Sequence, residues 1–314
     1  MSDKVADLGE FGLISAITAR LPQGGGVLVG PGDDAAVVAA PDGRVVATTD
    51  LLVENRHFRR DWSSAADVGH KAAAQNLADV AAMGAVPTAL LVGLGAPPDL
   101  PADWALGLAD GLREECEPLG TSVVGGDVVR SELVVVAVTA LGNLGGRRPV
   151  TRSGARSGDV VAVCGRLGWA EAGFRVLSRG FRSPRVLVEA HRRPTVPYDA
   201  GPEAADLGAT SMCDVSDGLL ADLGHVAEAS GVGIDLDPDT FEVPGPVRDA
   251  AAALGAEPLD WILTGGDDNA LAATFPPDVA LPERWRLVGR VSPGGGVTVG
   301  GTPFAGAAGH VHFR

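Results

Sequence analysis

Hydrophobic and polar positions along the chain form two successive series of helix and strand patterns. Apolar residues at helical spacing, or in short β-branched runs, set the bounds of each element. The first series predicts, in order, a helix at 8–20, a strand at 44–49, a helix from Ser63 or Ser64 to Met83, a strand at 88–94, a helix at 101–118, a strand at 122–124 and a strand at 132–141. This mixed order is typical of an α+β domain rather than of a doubly wound parallel sheet.

The second series follows residues 142–158, a segment rich in glycine and arginine. It predicts, in order, a strand at 159–164, a helix at 169–178, a strand at 211–214, a helix at 219–230, a strand at 233–236, a helix at 247–254 and strands at 270–275, 285–291 and 296–299. A polar stretch around His191 receives no helix. The 314 residues fit two domains, which we predict at 1–147 and 148–314.

Nine aspartates stand beside glycine or close to the end of an apolar strand. They are Asp33, Asp34, Asp50, Asp79, Asp127, Asp214, Asp217, Asp267 and Asp268. The strand at 44–49 is expected to end on Asp50, and the strand at 122–124 to run into two glycines and Asp127. Any one of these residues is typical of a turn, and Asp217 would also suit a helix N-cap. Together they predict a multi-metal site, because Mg²⁺ prefers carboxylate oxygens.

The composition narrows the class of ligand. Net charge is -15, and the sequence pI is about 4.7. Nucleic acids and anionic membranes require a basic surface, so neither is an expected partner. A polyphosphate would need bridging metal ions. The candidate cations for such a ligand are Lys71, Arg130, Arg152 and His57, each of which could equally be an ordinary surface charge. The usual phosphate-loop, protein-kinase and serine-hydrolase motifs are absent.

The N-terminal ten residues are polar and acidic, and no apolar run approaches the ~20 residues of a membrane span. The cysteines, Cys116, Cys164 and Cys213, lie far apart in apolar surroundings, which indicates buried packing residues. We therefore expect a reduced, soluble, cytoplasmic protein.

An ordered set of motifs resembles the thiamine-monophosphate kinase family over nearly the whole chain. The motifs are Gly30-x-Gly-Asp-Asp-Ala, Thr48-Thr-Asp-x-Leu-Val, Asn55-x-His57-Phe58, Asn76-Leu-Ala-Asp-Val-Ala-Ala-Met-Gly-Ala-x-Pro87, Gly125-Gly-Asp-x-x-Arg130, Thr151-Arg-Ser-Gly-Ala, His191-x-x-Pro, Asp214-Val-Ser-Asp-Gly-Leu and Gly265-Gly-Asp-Asp. The resemblance implies a two-domain fold like that of aminoimidazole ribonucleotide synthetase. It also implies ATP-dependent, magnesium-dependent phosphorylation of thiamine monophosphate to thiamine diphosphate. In that family the N-terminal domains pair into a dimer and the C-terminal domain completes the site.

The resemblance also assigns roles by position. The implied magnesium ligands are Asp34, Thr48, Thr49, Asp50, Asp79, Asp127, Asp214 and Asp217. The implied nucleotide contacts are Gly126, Asp127, Arg152 and Ser216, and the implied substrate contacts are His57, Asp267 and His310. Two departures touch the acceptor pocket. The family's Gly-Gly-Glu-Asp-Tyr-Glu is here Gly-Gly-Asp267-Asp-Asn269-Ala270, and its C-terminal aromatic residue is replaced by His310.

A phosphate oxygen would be the attacking atom in this reaction. The second pKa of a phosphomonoester is about 6, so it is largely a dianion at neutral pH and needs no general base. We expect direct in-line transfer without a phosphoenzyme. Catalysis would depend on metal bound by Asp50 and Asp127 and on stabilisation of charge by Arg152.

Other assignments fit less well. Selenophosphate synthetase is disfavoured because no cysteine lies in the N-terminal glycine-rich segment, and a HypE-type protein because the chain ends in Phe313-Arg314. Aminoimidazole ribonucleotide synthetase lacks support from the Asn-x-His-Phe motif. The alternatives from other classes are a non-catalytic magnesium-nucleotide-binding protein with a decayed acceptor pocket and an acidic metal-buffering protein. The apolar strands around the aspartates argue against the last.

Overall fold

The computed structural model describes residues 4–31 and 36–310. The chain divides into two compact units, Met1–Val80 with Val86–Gly145, and Ala81–Ala85 with Gly146–Arg314. Asp33 and Asp34 lie outside the described residues, so the structure leaves that part of the predicted site undescribed.

The first unit contains a four-stranded sheet with helices against one face. Its elements are α1 (Val5–Thr18), β1 (Val27–Val29), β2 (Val37–Val38), β3 (Val46–Val53), α2 (Ala65–Ala82), β4 (Val86–Ala96), α3 (Ala102–Cys116), β5 (Ser122–Arg130) and β6 (Val135–Asn143). The strand order is β3-β6-β4-β5, in which only β4 and β5 are parallel. The short strands β1 and β2 form a separate antiparallel ribbon.

Helices α2 and α3 cross at very short range. A Cβ atom added to Gly69 would lie 2.1 Å from the carbonyl oxygen of Leu108, and one added to Gly111 would lie 2.0 Å from that of Ala66. Only glycine permits this approach. The backbone N–H of Asp67 donates to Ser64 Oγ, and the N–H of Ser64 donates to the Asp67 carboxylate, so Ser64 begins α2 in a capping box.

The opposite face of this sheet presents apolar side chains to solvent. Leu51, Leu91 and Val129 on three strands are 51%, 38% and 54% exposed. Leu52, between Leu51 and the end of β3, is 2% exposed, as expected when side chains alternate across a strand. We call the surface of Leu51, Leu91 and Val129 the open face.

The second unit is built on a seven-stranded sheet of order β13-β12-β9-β11-β7-β10-β8. Its elements are β7 (Val160–Cys164), α4 (Trp169–Ser178), α5 (Arg185–Arg192), α6 (Ala200–Asp206), β8 (Ser211–Val215), α7 (Leu219–Ser230), β9 (Gly233–Leu236), α8 (Gly245–Leu254), α9 (Pro258–Thr264), β10 (Ala270–Phe275), β11 (Arg286–Ser292), β12 (Gly296–Val299) and β13 (Thr302–Pro303). Buried clusters pack on both of its faces. Because β10 is antiparallel to β7 and β8, the carboxyl ends of those two strands meet the start of β10 at one edge.

The ends of β3 and β5 differ from the sequence-based expectation in a way that bears on the site, and three helices were missed. Asp50 lies inside β3, because residues 51–53 remain paired with β6. Strand β5 continues through Gly125, Gly126 and Asp127 to Arg130, paired with β4 throughout.

Helices α5, α6 and α9 were not predicted. Arginines and flanking prolines obscure the apolar stripe of α5, of which Leu187 and Val188 are buried. Helices α6 and α9 have seven residues each, which is too short for helical periodicity to be distinguished from a loop or a strand.

All three cysteines are buried free thiols, as predicted. Burial raises the pKa of Cys116 to about 12 and that of Cys164 to about 11, so neither is a thiolate at neutral pH. In the part of the chain that the structure describes, no helix is both long and apolar enough to cross a membrane.

Candidate active site

In the first unit, β3 and α2 bring together Thr48, Asp50 and Asp79. Thr48 and Asp50 are two residues apart on β3 and therefore share a face. The Thr48 hydroxyl donates to Asp79 Oδ2 at 2.8 Å, and the backbone N–H of Asp50 donates to Asn76 Oδ1 at 3.0 Å. The Asn76 amide group donates to Ala72 O at 2.9 Å, and this asparagine is fully buried. Asn76 thus links the backbone of β3 to that of α2, beside the predicted ligands.

Thr49 lies on the other side of β3, because neighbouring residues of a strand point to opposite faces. Its hydroxyl donates to Val138 O at 2.9 Å and accepts from the Thr139 hydroxyl at 3.2 Å. The predicted ligands Thr48, Thr49 and Asp50 therefore do not share one side of the sheet, and Thr49 belongs to the open face.

Asp127 is separated from Asp50 within one copy of the chain. The sheet order places β3 and β5 at opposite edges, three strand spacings or about 14 Å apart. Asp127 is level with Gly93, Ala137 and Leu51 in the register, which puts it on the open face. Its carboxylate accepts the N–H of Val128 at 2.9 Å. A Cβ atom added to Gly126 would lie 1.9 Å from Val92 O, so this position requires glycine.

His57 is fixed at the turn that follows β3. Its Nδ1 accepts the backbone N–H of Val53 at 3.0 Å. The turn is stabilised by Asn55, whose φ of 65° lies in the left-handed region that asparagine tolerates. Of the candidate cations in this unit, Lys71 is only 3% exposed, whereas Arg130 is exposed.

In the second unit, three segments meet at the carboxyl end of β8. The N–H of Asp267 donates to Ser216 O, and the N–H of Asn269 donates to Val215 O, both at 2.9 Å. The N–H of His310 donates to Asp217 O, also at 2.9 Å. Backbone hydrogen bonds thus gather the predicted residues of this unit, which are Asp214 within β8, Ser216 and Asp217 after it, Asp267 before β10, and His310.

The segment before β10 has an unusual backbone. Asp267 and Asn269 adopt φ values of 65° and 50°, which only asparagine, aspartate and glycine visit readily. A Cβ atom on Gly266 would lie 2.3 Å from Ser216 O, and one on Gly218 would lie 2.6 Å from Thr264 O. The glycines therefore permit the close approach of the two loops.

Two buried carboxylates that the sequence analysis did not single out as supports hold these loops. Asp222, 3% exposed, accepts the N–H groups of Ser216, Asp217 and Gly218 at 3.0, 3.1 and 3.1 Å. Asp268, 4% exposed, accepts the N–H groups of Gly168 and Ala170 at the start of α4. Burial raises the pKa of Asp222 to about 6 and that of Asp268 to about 7, against the opposing effect of these hydrogen bonds.

Asp217 does not cap α7 through its side chain, since the N-cap residue is Gly218 and no side-chain cap bond is present. Asp222 provides the acceptor instead. The signal in the sequence was an acidic residue inside the apolar stripe of Leu219, Leu220 and Leu223. Such a residue must find hydrogen-bond donors when it is buried.

Arg152 lies on a single 3-10 turn, Arg152–Gly154, and is exposed. Its carbonyl oxygen accepts the Ser230 hydroxyl at 2.8 Å. Burial raises the pKa of Cys213 well above its usual range, and the positive charge of Arg152 partly offsets this rise. The turn that carries Arg152 contacts β8.

The available donors are carboxylate and hydroxyl oxygens, which suit Mg²⁺. Within residues 4–31 and 36–310, no group of three or more histidine, cysteine or acidic side chains could hold a metal ion alone. Mg²⁺ typically uses one or two carboxylates and completes its octahedron with water and substrate phosphates. The pairing of Thr48 with Asp79 fits that sparse mode of binding, as do Asp214 near the end of β8 and Asp217 in the loop that follows.

Comparisons with known proteins identify the domains and the family. Residues 32–144 match the family model of the AIR synthase related protein, N-terminal domain. Residues 156–301 match the family model of the corresponding C-terminal domain. The thiamine-monophosphate kinase of Mycobacterium tuberculosis (strain ATCC 25618 / H37Rv) is 49% identical over 314 residues, covering 99% of this chain and 94% of that protein.

Two solved structures share the fold. A thiamine-monophosphate kinase from Stenotrophomonas maltophilia K279a has a TM-score of 0.81 at 32% identity, covering 92% of this chain and 96% of that one. A structure described as AaThiL complexed with AMPPCP and TMP has a TM-score of 0.81 at 32% identity, covering 99% of this chain and 100% of that one. The predicted two-domain α+β fold is confirmed, and the chain belongs to the thiamine-monophosphate kinase family, within the AIR synthase related proteins.

Proposed function

We propose that this protein transfers the γ-phosphoryl group of ATP to thiamine monophosphate, which yields thiamine diphosphate and ADP. The observation that carries the proposal is the 49% identity to a thiamine-monophosphate kinase over 99% of the chain. The similarity to AaThiL in complex with AMPPCP, an ATP analogue, and TMP supports the same donor and acceptor.

Magnesium ions would neutralise the two polyanionic substrates. We assign Asp34, Thr48, Thr49, Asp50, Asp79, Asp127, Asp214 and Asp217 as their ligands, and Gly126, Asp127, Arg152 and Ser216 as nucleotide contacts. The oxygen-only donor set supports Mg²⁺ over zinc or a thiophilic metal. When bound, the metal would supply charge neutralisation at the transferred phosphoryl group.

The remaining chemistry requires positioning rather than proton transfer. The acceptor phosphate is already largely a dianion, since its second pKa is about 6. Arg152, exposed next to β8, is free of any carboxylate partner within the described residues and suits stabilisation of charge on the group in flight. His57, Asp267 and His310 would contact the acceptor. The short side chain of Asp267 and the imidazole of His310 would then set affinity rather than reaction class.

A homodimer formed through the open face is the assembly we propose. Leu51, Leu91 and Val129 expose apolar side chains on three strands of one sheet, and contiguous exposed apolar surface marks protein interfaces. Thr49 and Asp127 share this face at opposite edges of the sheet. A second copy placed on it would bring additional oxygen donors to each edge.

We further propose a domain boundary between residues 147 and 148, which gives domains 1–147 and 148–314, and a cytoplasmic location. Three buried free thiols support a reducing compartment, where unpaired cysteines persist.

The test is a reconstitution with the purified chain, Mg-ATP and thiamine monophosphate, in which ADP and thiamine diphosphate are separated by chromatography. We expect equal amounts of both products, dependent on both substrates and abolished by a chelator. ADP without thiamine diphosphate would assign a different acceptor. Binding of ATP without any turnover would favour the non-catalytic reading that the changes at Asp267, Asn269 and Ala270 motivate.

A further inference from the structure

The loop that follows β8 turns around a single carboxylate oxygen. Three consecutive backbone N–H groups, those of Ser216, Asp217 and Gly218, donate to Oδ2 of Asp222 at 3.0, 3.1 and 3.1 Å. The Asp222 side chain is 3% exposed. Consecutive amides converge on one atom only if the chain bends around it, so this carboxylate and the loop conformation depend on each other.

The same loop supports the two other segments of the site. Its carbonyl oxygens at Val215, Ser216 and Asp217 accept the N–H groups of Asn269, Asp267 and His310, each at 2.9 Å. The N–H groups of the loop therefore bind Asp222, and its carbonyl oxygens bind the segments that carry Asp267 and His310. A change in its backbone would move both sets.

We propose that Asp222 is the positioning residue of this site, which holds the backbone from which Ser216 and Asp217 present oxygen atoms to nucleotide and magnesium. The inference rests on the proposed function, because that function assigns ligands to the loop. Asp222 is not itself a ligand in this proposal, since its Oδ2 already accepts three N–H groups.

The energetic argument is one of unsatisfied donors. Removal of the carboxylate would leave three N–H groups without their acceptor. Each such loss costs about 1–3 kcal/mol where the group is buried, as at Gly218, and less where it can reach water, as at the exposed Ser216. Rearrangement of the loop towards water relieves that cost by moving Ser216 and Asp217. Groups that orient metal ligands from behind typically change metal affinity or activity by about 10–100-fold when removed.

Asp159 supplies a matched control in the same unit. Its side chain is 5% exposed, and its carboxylate accepts the N–H of Arg156 at 2.9 Å and the Thr210 hydroxyl at 2.6 Å. It immediately precedes β7, whereas the site loops lie at the opposite ends of β7 and β8. Asp159→Ala therefore removes a buried, loop-holding carboxylate without touching the loop that Asp222 holds.

The experiment compares wild type, Asp222→Ala, Asp222→Asn and Asp159→Ala. Mn²⁺ binding, followed by the electron paramagnetic resonance signal of the free ion, reports the metal sites without turnover. The Mg²⁺ concentration for half-maximal activity, kcat and KM for ATP report the assembled site. Thermal unfolding reports stability.

We expect Asp222→Ala to weaken Mn²⁺ binding at one or more sites by about 10–100-fold and to raise the Mg²⁺ requirement. Asp222→Asn keeps an oxygen acceptor and should lie between Asp222→Ala and wild type, which keeps the test decisive if the alanine variant does not fold. Asp159→Ala should lower the melting temperature but leave metal binding unchanged.

Loss of stability in the Asp222 variants with unchanged Mn²⁺ binding, Mg²⁺ requirement and KM would overturn the inference. If wild type forms no thiamine diphosphate but its Mn²⁺ binding still depends on Asp222, the proposed function fails while the positioning role stands.

Discussion

The two units present their predicted site residues by different physical means. In the first, Thr48 and Asp50 follow the two-residue repeat of β3, and Asn76 and Asp79 follow the three-residue spacing of α2. In the second, Ser216, Asp217, Asp267 and His310 meet through backbone hydrogen bonds between segments distant in sequence. Regular secondary structure therefore fixes one set, and loops held by buried carboxylates fix the other.

The two units should therefore respond differently to substitution. A ligand on β3 or α2 is replaceable without loss of the scaffold, because the strand pairing and helix remain. A residue that shapes the loops of the second unit supports the fold and the site together, because the conformation of those loops positions the site residues. Substitutions in the first unit should thus affect chemistry alone, and those in the second should affect chemistry and stability together.

The largest expected effect is on turnover in the first unit. Asp50→Asn should lower kcat by about 100-fold or more, because metal-borne charge stabilisation is worth several kcal/mol and each 1.36 kcal/mol is tenfold in rate. Stability should change little, since asparagine has nearly the size of aspartate and the hydrogen bond from the backbone N–H of Asp50 to Asn76 is kept. Steady-state kinetics and thermal unfolding measure both. Asp99→Asn, at an exposed loop position, is the matched control and should behave as wild type.

Near-normal turnover in Asp50→Asn would remove the metal assignment from β3. A large loss of stability in that variant would instead abolish the contrast between the two units.

The next effect is a combined loss in the second unit. Gly266→Ala would place a Cβ atom 2.3 Å from Ser216 O, so the two loops must separate. We expect destabilisation of about 1–3 kcal/mol, as for other overpacked sites, together with at least about tenfold lower kcat/KM. Gly224→Ala is the control, because a Cβ at that position of α7 meets nothing within 4 Å. It should be neutral or stabilising by up to about 1 kcal/mol.

A Gly266→Ala enzyme that keeps full activity would show that the approach of the two loops does not matter for the reaction. If Gly224→Ala also destabilises the protein, the loss of stability in Gly266→Ala is not specific to the contact between the two loops.

A pH effect should appear in the second unit through Asp268. Burial raises its pKa from 3.8 to about 7, so the folded protein binds this proton more tightly than the unfolded chain. The contribution of this tighter proton binding to the free energy of unfolding is fully present below about pH 4. It is lost as pH rises towards about 7, and the free energy of unfolding then falls by at most about 1.4 kcal/mol per pH unit. Asp268→Asn cannot titrate. Urea unfolding of both proteins between pH 4.5 and 7.5 should give a smaller fall in the variant.

Parallel stability curves for wild type and Asp268→Asn would show that this carboxyl group is ionised throughout the range. The pKa assignment would then be wrong.

The smallest expected effect on the folded chain is at the open face. Leu91→Lys replaces a 38% exposed side chain and should change the free energy of unfolding by less than about 0.5 kcal/mol. It should nevertheless dissociate the proposed homodimer, because it places a charge in an apolar interface. Light scattering after gel filtration measures the mass. Leu287→Lys, at a 54% exposed strand position of the second unit, should leave the dimer intact.

A monomeric wild-type protein would remove the dimer proposal outright. Dissociation by Leu287→Lys alone would relocate the interface to the second unit.

The sequence predicted the two-domain fold and most of the elements because apolar periodicity and glycine breaks mark them strongly. Helix α4 has the predicted bounds, Trp169–Ser178, and β10 has the predicted bounds, Ala270–Phe275. Short α6 and α9, and the arginine-rich α5, gave no usable periodicity. Of the site, the proximity of Thr48 to Asp79 depends on pairing between β3 and α2, which local patterns do not specify.

The hydrogen-bond partners of Asp222 and Asp268 could not be predicted from the sequence, for a related reason. Each acts on backbone N–H groups, which have no sequence signature of their own. Asp268 binds amides about one hundred residues earlier in the chain, at Gly168 and Ala170. The faces of Thr49 and Asp127 were likewise undetermined until the register of β3, β6, β4 and β5 was known.

The most direct test of the central claim is a transfer experiment with ATP labelled in its γ-phosphate, thiamine monophosphate and Mg²⁺. We expect the label in the terminal phosphate of thiamine diphosphate, in amounts equal to ADP, with none retained on the protein. Label on an aspartate or histidine of the protein would contradict direct transfer. ADP formation with no label in thiamine diphosphate would contradict the proposed function itself.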